Sequence, residues 1–189
     1  MCCKNTQKQR LSLCTFIVFT LLCFAIILII MEKLAFHIPY VRLDDAELSE
    51  ADRQLVEAAK QATETSYAPY SQFRVGAAVL LDNGVVVSGS NQENAATPNG
   101  ICAERCAIFH ANATWPKVAV QAIAIAARDT SGAFTERPIS PCGMCRQVLA
   151  ETEHRYGKSL RVLLYGTAGT YLIEGVSGLL PFAFDESFL

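Results

Sequence analysis

Two clusters of cysteines in the second half of the chain have the residue types and spacing of a metal site. Residues 141–145 read Pro-Cys-Gly-Met-Cys, and Cys102 lies 40 residues before Cys142. Both segments fall at predicted starts of helices, where the positive end of the helix dipole favours thiolate, the form that binds a metal. Three thiolates on Zn²⁺ leave the fourth tetrahedral position to water, which is the arrangement of a catalytic zinc site. The three sulfurs of Cys102, Cys142 and Cys145 are therefore the candidate ligands.

Glu104 and Arg105 follow Cys102 closely and give this cluster its candidate chemistry. A carboxylate beside the open position can take a proton from a water that zinc has acidified and pass it to a substrate nitrogen. Arg105 can offset the negative charge of the thiolates. The alternative for both residues is a solvated ion pair on a helix surface, and their position next to Cys102 favours the site.

The cysteine positions leave other readings open. Cys106 lies four residues after Cys102, on the same face of a regular helix, so a closed four-cysteine zinc site is one alternative. A disulfide between two of these thiols is another, if the domain lies outside the cytosol. A Cys-x-x-Cys pair taken alone also occurs in redox sites.

The elements that must position these residues alternate between helices and strands. Ser49 with Asp52 three residues on resembles a helix N-cap, followed by an apolar stripe that ends at Ala62. Asp82-Asn83-Gly84 predicts a hairpin between strands at 73–81 and 85–89. Further helices are predicted over 102–113 and 143–153, and further strands over 118–127, 161–165 and 170–173. This order predicts a three-layer α/β/α fold, with a mixed, mostly parallel-cored sheet of about five strands.

Composition limits the classes of function. With 189 residues the chain has room for one domain, and a formal net charge of −2 argues against a nucleic-acid partner. Eight cysteines are too few for a disulfide scaffold. We expect residues 46–189 to be the catalytic domain, preceded by a linker over 32–45.

The apolar excess is concentrated near the N-terminus. Residues 11–31 carry no charged side chain and have the length of a transmembrane helix, after a basic tail over residues 1–10. These flanks predict a single-pass membrane protein with a cytosolic N-terminus, anchored through 11–31. A cleaved signal peptide is the alternative, and the location is cytosolic if this segment is missing from the expressed protein. Cys2 and Cys3 are candidates for acylation.

Five segments occur in the order and spacing of one family. They are Tyr70–Ala78, Asn91–Ala95, Cys102–Arg105, Pro141–Gln147 and Leu179–Phe184. Together they resemble the zinc-dependent cytidine deaminases of the short, nucleoside-acting type, over nearly all of the chain after residue 46. The resemblance implies one zinc ion per subunit on Cys102, Cys142 and Cys145, Glu104 as the proton shuttle, and Cys106 outside the ligand set.

The resemblance also implies substrate contacts and an assembly. Asn91 and Glu93 would hold the sugar hydroxyls, which suits an amide and a carboxylate. Phe73 would pack against the base, and the backbone N–H of Ala103 would contact the pyrimidine. Phe184 would reach the active site of a neighbouring subunit in a homotetramer.

Thr97 departs from the family pattern, because many members have an aromatic residue there that helps to close the site. Threonine offers no such stacking surface. We expect the departure to affect substrate affinity, or the inter-subunit part of the site, and not the metal chemistry.

The function that follows from the resemblance is the hydrolytic deamination of cytidine and deoxycytidine to uridine and deoxyuridine, with release of ammonia, in pyrimidine salvage. Water activated by zinc attacks C4, and Glu104 protonates N3 and then helps the amino group to leave. One alternative is a deaminase of another aminopyrimidine nucleoside; Asn91 and Glu93 favour a free ribonucleoside. The other is a membrane-tethered zinc-binding module without catalysis, in which Glu104 would have no use.

Overall fold

The computed structural model describes residues 17–20 and 34–189. The chain divides into two compact units, one up to Phe36 and one from His37 to Leu189. In the first unit the described residues are a helical turn, Ile17–Thr20, and a stretch without regular secondary structure over 34–36, all of them exposed. The second unit contains the sheet, its helices and the candidate site.

The predicted single-pass membrane location is corrected by the structure. A helix needs roughly 20 apolar residues to cross a bilayer, and within residues 17–20 and 34–189 no helix has that length and apolar character. Of the predicted segment 11–31, only Ile17–Thr20 is described. The rest of it, and Cys2 and Cys3, lie outside the described residues.

Six strands form one sheet in the second unit: β1 (Val41–Leu43), β2 (Arg74–Leu81), β3 (Val86–Ser90), β4 (Val120–Arg128), β5 (Arg161–Leu164) and β6 (Thr170–Glu174). Their spatial order is β1-β6-β5-β4-β2-β3. β4 and β5 are parallel, and every other neighbouring pair is antiparallel. The mixed α/β sheet is confirmed, with one parallel pair at its centre.

The sixth strand, β1, lies in the segment predicted to be a linker. It pairs with β6 at the edge of the sheet, with Val41 opposite Leu172, and Tyr40 packs beside Tyr171 with ring centroids 5.1 Å apart. Both Val41 and Arg42 are exposed. An edge strand of three residues has no buried face long enough to leave an alternating pattern in the sequence, which explains why the prediction had about five strands.

Three helices cover the two faces of the sheet: α1 (Glu50–Ala62), α2 (Ala103–Thr114) and α3 (Gly143–Tyr156). Alternate residues of the central strands point to opposite faces. On one face Ala78, Ala122 and Ala124 pack with α1, and on the other Val79, Ile123 and Ile125 pack with α2 and α3. The small side chains on the α1 face allow close approach: a Cβ added at Gly76 would lie 2.1 Å from the carbonyl oxygen of Ala59. The three-layer prediction is thereby confirmed.

The local signals at the start of α1 and in the hairpin work as predicted. The Ser49 hydroxyl accepts from the backbone N–H of Asp52 at 3.1 Å and donates to the Asp52 carboxylate at 2.7 Å. Gly84 has φ +82° in the turn between β2 and β3, a conformation that favours glycine. The cap begins α1, which packs against β2, and the turn joins β2 to β3.

Candidate active site

Cys102 and Cys142 are the N-cap residues of α2 and α3, and Cys145 lies in the first turn of α3. All three sulfur atoms lie within 4.8 Å of one another. The Sγ of Cys142 is 3.8 Å from that of Cys102 and 3.5 Å from that of Cys145. In the described part of the chain, this is the one group of His, Cys, Asp or Glu side chains close enough to share a metal ion.

The spacing of these sulfurs fits tetrahedral zinc. A Zn–S bond of about 2.3 Å with tetrahedral angles separates two sulfurs by about 3.8 Å, close to the two distances observed. Both N-cap thiols lie where the helix dipole favours a thiolate, and neither forms a side-chain capping bond to its own helix. The donor set and its geometry therefore suit one zinc ion with three thiolate ligands.

Cys106 lies outside this group. Its Cβ is directed to β3, where a Cβ added at Gly89 would come within 3.0 Å of it. The four-residue spacing misleads because Cys102 is an N-cap with extended backbone (φ −76°, ψ 153°), so the two residues do not share a helix face. The closed four-cysteine alternative is not formed. The disulfide alternative is not formed either, since all four described cysteines are free thiols.

Glu104 is buried in the first turn of α2, beside the sulfurs. Burial raises the pKa of Glu104, and the charge on Cys102 raises it further. The carboxyl also interacts with the thiol of Cys145. A buried carboxyl with a raised pKa can both accept and return a proton near neutral pH.

Arg105 lies on the other side of Cys102, with its Nη2 atom 3.8 Å from the sulfur. The interaction with Cys145, followed by that with Arg105, lowers the pKa of Cys102 to about 5. The pKa of Cys145 is raised, chiefly by its interaction with Cys102. These opposite shifts favour the thiolate at Cys102 over that at Cys145, and Arg105 lies where its positive charge can offset that thiolate.

A cavity of about 850 Å³ opens above the cysteines. Its lining includes Cys102, Glu104 and Cys142, which together with the adjacent Cys145 we call the metal end. It also includes Asn91 and Glu93, which we call the polar end. The cavity therefore brings together metal and sugar-binding candidates that are separated in the sequence.

At the polar end, the Asn91 side chain is bonded to β2 and to the segment before it. Its Oδ1 accepts from the backbone N–H of Val75 at 2.8 Å and from the hydroxyl of Ser66. Its Nδ2 donates to the carbonyl of Phe73 at 3.0 Å. The oxygen has both lone pairs engaged, so the remaining Nδ2–H is the group that Asn91 can offer to a ligand.

The carboxylate of Glu93 likewise forms hydrogen bonds with the backbone of its own chain. Its Oε2 accepts from the N–H groups of Tyr70 and Ser71 at 2.8 and 3.3 Å. The Ser71 hydroxyl and these N–H groups lower the pKa of Glu93. The carboxylate is therefore ionised at neutral pH, where it holds the backbone of Tyr70 and Ser71 in the cavity lining.

The other three predicted substrate residues lie in different settings. Ala103 is buried in the cavity wall as the first residue of α2, where a helix N–H has no partner within its own helix. Phe73 is half-buried and is not among the residues that line the cavity. Phe184 is 58 % exposed, also outside the lining, and its ring stacks on that of Phe188 with centroids 5.7 Å apart.

Several lining residues were not predicted. Tyr70 is bonded to Glu93 at the polar end, and Ile139, Ser140 and Met144 lie within three residues of Cys142 along the chain. Thr97, noted for its departure from the family pattern, also lines the cavity. The sequence gives one signal for these positions: each lies within a few residues of a residue that could be assigned, such as Glu93 or Cys142.

The fold and the site together define an α/β metalloenzyme with a three-cysteine centre and a buried carboxyl beside it. The profile described as "Cytidine and deoxycytidylate deaminase zinc-binding region" matches residues 49–156. The chain belongs to this family.

Individual relatives agree with the family. The chain is 44% identical over 134 residues to a cytidine deaminase of Halalkalibacterium halodurans, covering 70% of this chain and 94% of the relative. It is similar to the crystal structure of cytidine deaminase from Burkholderia pseudomallei, with a TM-score of 0.61 and 39% identity over 72% of this chain and 100% of that one. The structure from Mycobacterium tuberculosis has a TM-score of 0.53 and 34% identity, over 70% and 95%.

Proposed function

We propose that this protein hydrolyses cytidine and deoxycytidine to uridine and deoxyuridine, with release of ammonia. The observation that carries this proposal is the buried carboxyl of Glu104 beside three sulfurs with zinc-like spacing, in the wall of a cavity large enough for a nucleoside. The relatives that cover most of the second unit are named cytidine deaminases, which supports the same reaction.

Cys102, Cys142 and Cys145 would hold the zinc ion, one per chain. When bound, zinc supplies a water activated as a nucleophile near neutral pH. Glu104 accepts the proton that this water loses as it adds to C4 and delivers a proton to N3. Glu104 then takes the proton of the hydroxyl that has formed at C4 and passes it to the amino group. The amino group leaves as ammonia, the oxygen stays on C4 as the carbonyl, N3 keeps its proton, and the carboxylate is regenerated. Arg105 moderates the negative charge of the thiolates throughout.

The substrate would lie along the cavity with its base at the metal end and its sugar at the polar end. The N–H of Ala103 is a donor for the pyrimidine, and the remaining Nδ2–H of Asn91 is a donor for a sugar hydroxyl. Glu93 is an acceptor beside it. The contact between Phe73 and the base stays a prediction. Because Phe73 is not among the residues that line the cavity, its side chain would have to move to reach the base.

We place this activity in pyrimidine salvage, in a catalytic domain over residues 46–189, and in a homotetramer. Phe184 and Phe182 are 58 % and 90 % exposed, and aromatic side chains are enriched where subunits meet. Burial of these residues against a second copy would remove apolar surface from water.

The experiment is a cytidine assay on the purified full chain, following the ultraviolet absorbance change as cytidine becomes uridine. Zinc-loaded protein is compared with protein stripped by a chelator and with stripped protein to which zinc is restored. We expect turnover in the first, none in the second and recovery in the third. Zinc-loaded protein that neither consumes cytidine or deoxycytidine nor releases ammonia would overturn the proposal and favour a non-catalytic zinc module.

A further inference from the structure

The side chain of Arg146, in the first turn of α3, forms three hydrogen bonds with three separate points of the chain. Its Nε donates to the carbonyl of Pro141 at 2.9 Å. Its Nη1 donates to the carbonyl of Leu179 at 2.9 Å, and its Nη2 donates to the hydroxyl of Ser140 at 3.0 Å. Because a guanidinium is planar and rigid, the three acceptors are held in one plane.

Two of these acceptors belong to the loop that leads into the metal centre. Pro141 is buried and directly precedes Cys142, and Ser140 lines the cavity. The third acceptor, at Leu179, belongs to a turn whose N–H groups at 179 and 180 both donate to Val176. Leu179 and Val176 are part of the hydrophobic core. Arg146 thus joins the ligand loop to a fixed point of the core.

Cys142 is the ligand that most needs such support. Its side chain is exposed, whereas Cys145 is fully buried and Cys102 is partly buried. Cys142 is also an N-cap residue whose sulfur forms no capping bond to the helix backbone, and the contacts given for that sulfur are with the other two sulfurs. The position of the sulfur therefore depends on the backbone of residues 140–142, which Arg146 holds.

We propose that Arg146 is a positioning residue that sets the Cys142 sulfur for zinc by fastening residues 140–141 to the turn at Leu179. The inference rests on the proposed zinc site and goes beyond it, because Arg146 touches neither the metal ligands' sulfurs nor the cavity. Outer residues that orient metal ligands typically change metal affinity by about 10–100-fold when they are replaced.

The test measures zinc release from the folded, zinc-loaded full chain to a chromogenic chelator, in wild type and in Arg146→Gln and Arg146→Lys. We expect both variants to release zinc about 10–100-fold faster. Lysine should not rescue the release rate, because one ammonium cannot satisfy three acceptors in a plane. Arg155→Gln is the matched control: it lies on the same helix, away from the cysteines, and donates to Pro116 at 3.2 Å. It should release zinc at the wild-type rate.

A second readout separates positioning from general stability. With Co²⁺ in place of zinc, Arg146→Gln should shift the sulfur-to-metal charge-transfer bands, and Arg155→Gln should not. Wild-type release and wild-type bands in folded Arg146→Gln would overturn the inference.

If that variant does not fold, Ser140→Ala decides, since it removes the Nη2 acceptor alone: faster release supports the inference, and release at the wild-type rate overturns it. None of these measurements uses cytidine, so an inactive wild type that still retains zinc contradicts the proposed function and leaves this inference standing.

Discussion

The two ends of the cavity differ in what their side chains are bonded to. At the polar end, Asn91 and Glu93 together accept or donate in at least five hydrogen bonds to their own chain. At the metal end, the sulfurs of Cys102, Cys142 and Cys145 lie next to one another, and the guanidinium of Arg105 lies beside the sulfur of Cys102. The side chains of the polar end are largely bonded to the chain itself, whereas the three sulfurs of the metal end are spaced to share a cation.

The two ends therefore differ in what holds their functional side chains in position. Three adjacent thiolates repel one another unless a cation lies among them, so the metal end is maintained by the helices and loops that carry it. The polar end is maintained by its own functional side chains. Substitutions at the metal end should therefore change chemistry with little effect on the fold, and substitutions at the polar end should change both.

The largest effect is expected from removing a ligand. Cys145→Ser should lose nearly all of its zinc, and with it turnover, because a serine hydroxyl is a poor substitute for a buried thiolate. Metal analysis of the purified protein measures this. Cys106→Ser is the matched control and should retain about one zinc per chain. Loss of zinc in the control, or its retention in Cys145→Ser, would break the assignment of the metal end.

The next effect in size is the loss of the proton carrier. Glu104→Gln should lower kcat by about 10²–10⁴-fold, because an amide cannot accept and return the proton. Its zinc content should stay that of the wild type. Steady-state assays with cytidine, beside metal analysis, measure both quantities. Glu57→Gln, on the exposed side of α1 where Glu57 pairs with Lys60, should keep full activity. A Glu104→Gln enzyme with wild-type kcat would contradict the role of this carboxyl.

Asn91→Ala tests the polar end. It removes a side chain that bonds to the backbone on both sides of residue 74, so we expect the free energy of unfolding to fall by about 1–3 kcal/mol. KM for cytidine should rise as well, while zinc content stays unchanged. Urea unfolding and steady-state kinetics provide the two numbers. If KM rises with no loss of stability, the two ends do not differ in the way described.

The smallest effect is expected at Glu93. Because the pKa of Glu93 is lowered from its ordinary value of 4.5, its contribution to stability is complete above that value and is lost as the pH falls through the lowered pKa. Glu93→Gln should therefore lower the melting temperature slightly at pH 7, and the difference from wild type should vanish in acid. A difference that persists at low pH would mean that charge is not the cause.

The metal end was far easier to predict from the sequence than its surroundings. Cys102, Glu104 and Cys142 stand out in the sequence because few other residue types perform that chemistry, although the cysteine spacing alone left Cys106 as a possible fourth ligand. The cap at Ser49 and the turn at Gly84 were predictable for a similar reason, since each depends on a few neighbouring residues.

Features that depend on distant contacts could not be predicted. The edge strand Val41–Leu43 exists because β6 is there to pair with it. The position of Phe73 outside the cavity lining, and the reach of Arg146 to Leu179, are set by tertiary packing. The mainly antiparallel pairing of the sheet likewise depends on which strands become neighbours. Local sequence patterns carry no information on these contacts, apart from the Asp82-Asn83-Gly84 turn, which predicts the antiparallel pair β2–β3.

The most direct test of the central claim is zinc K-edge X-ray absorption on the metal-loaded full chain. We predict three sulfur neighbours at about 2.3 Å and one lighter oxygen or nitrogen neighbour at about 2.0 Å, the signature of a three-cysteine centre with an exchangeable position. Four sulfur neighbours would contradict the account, because no position would then remain at which a water could be activated beside Glu104.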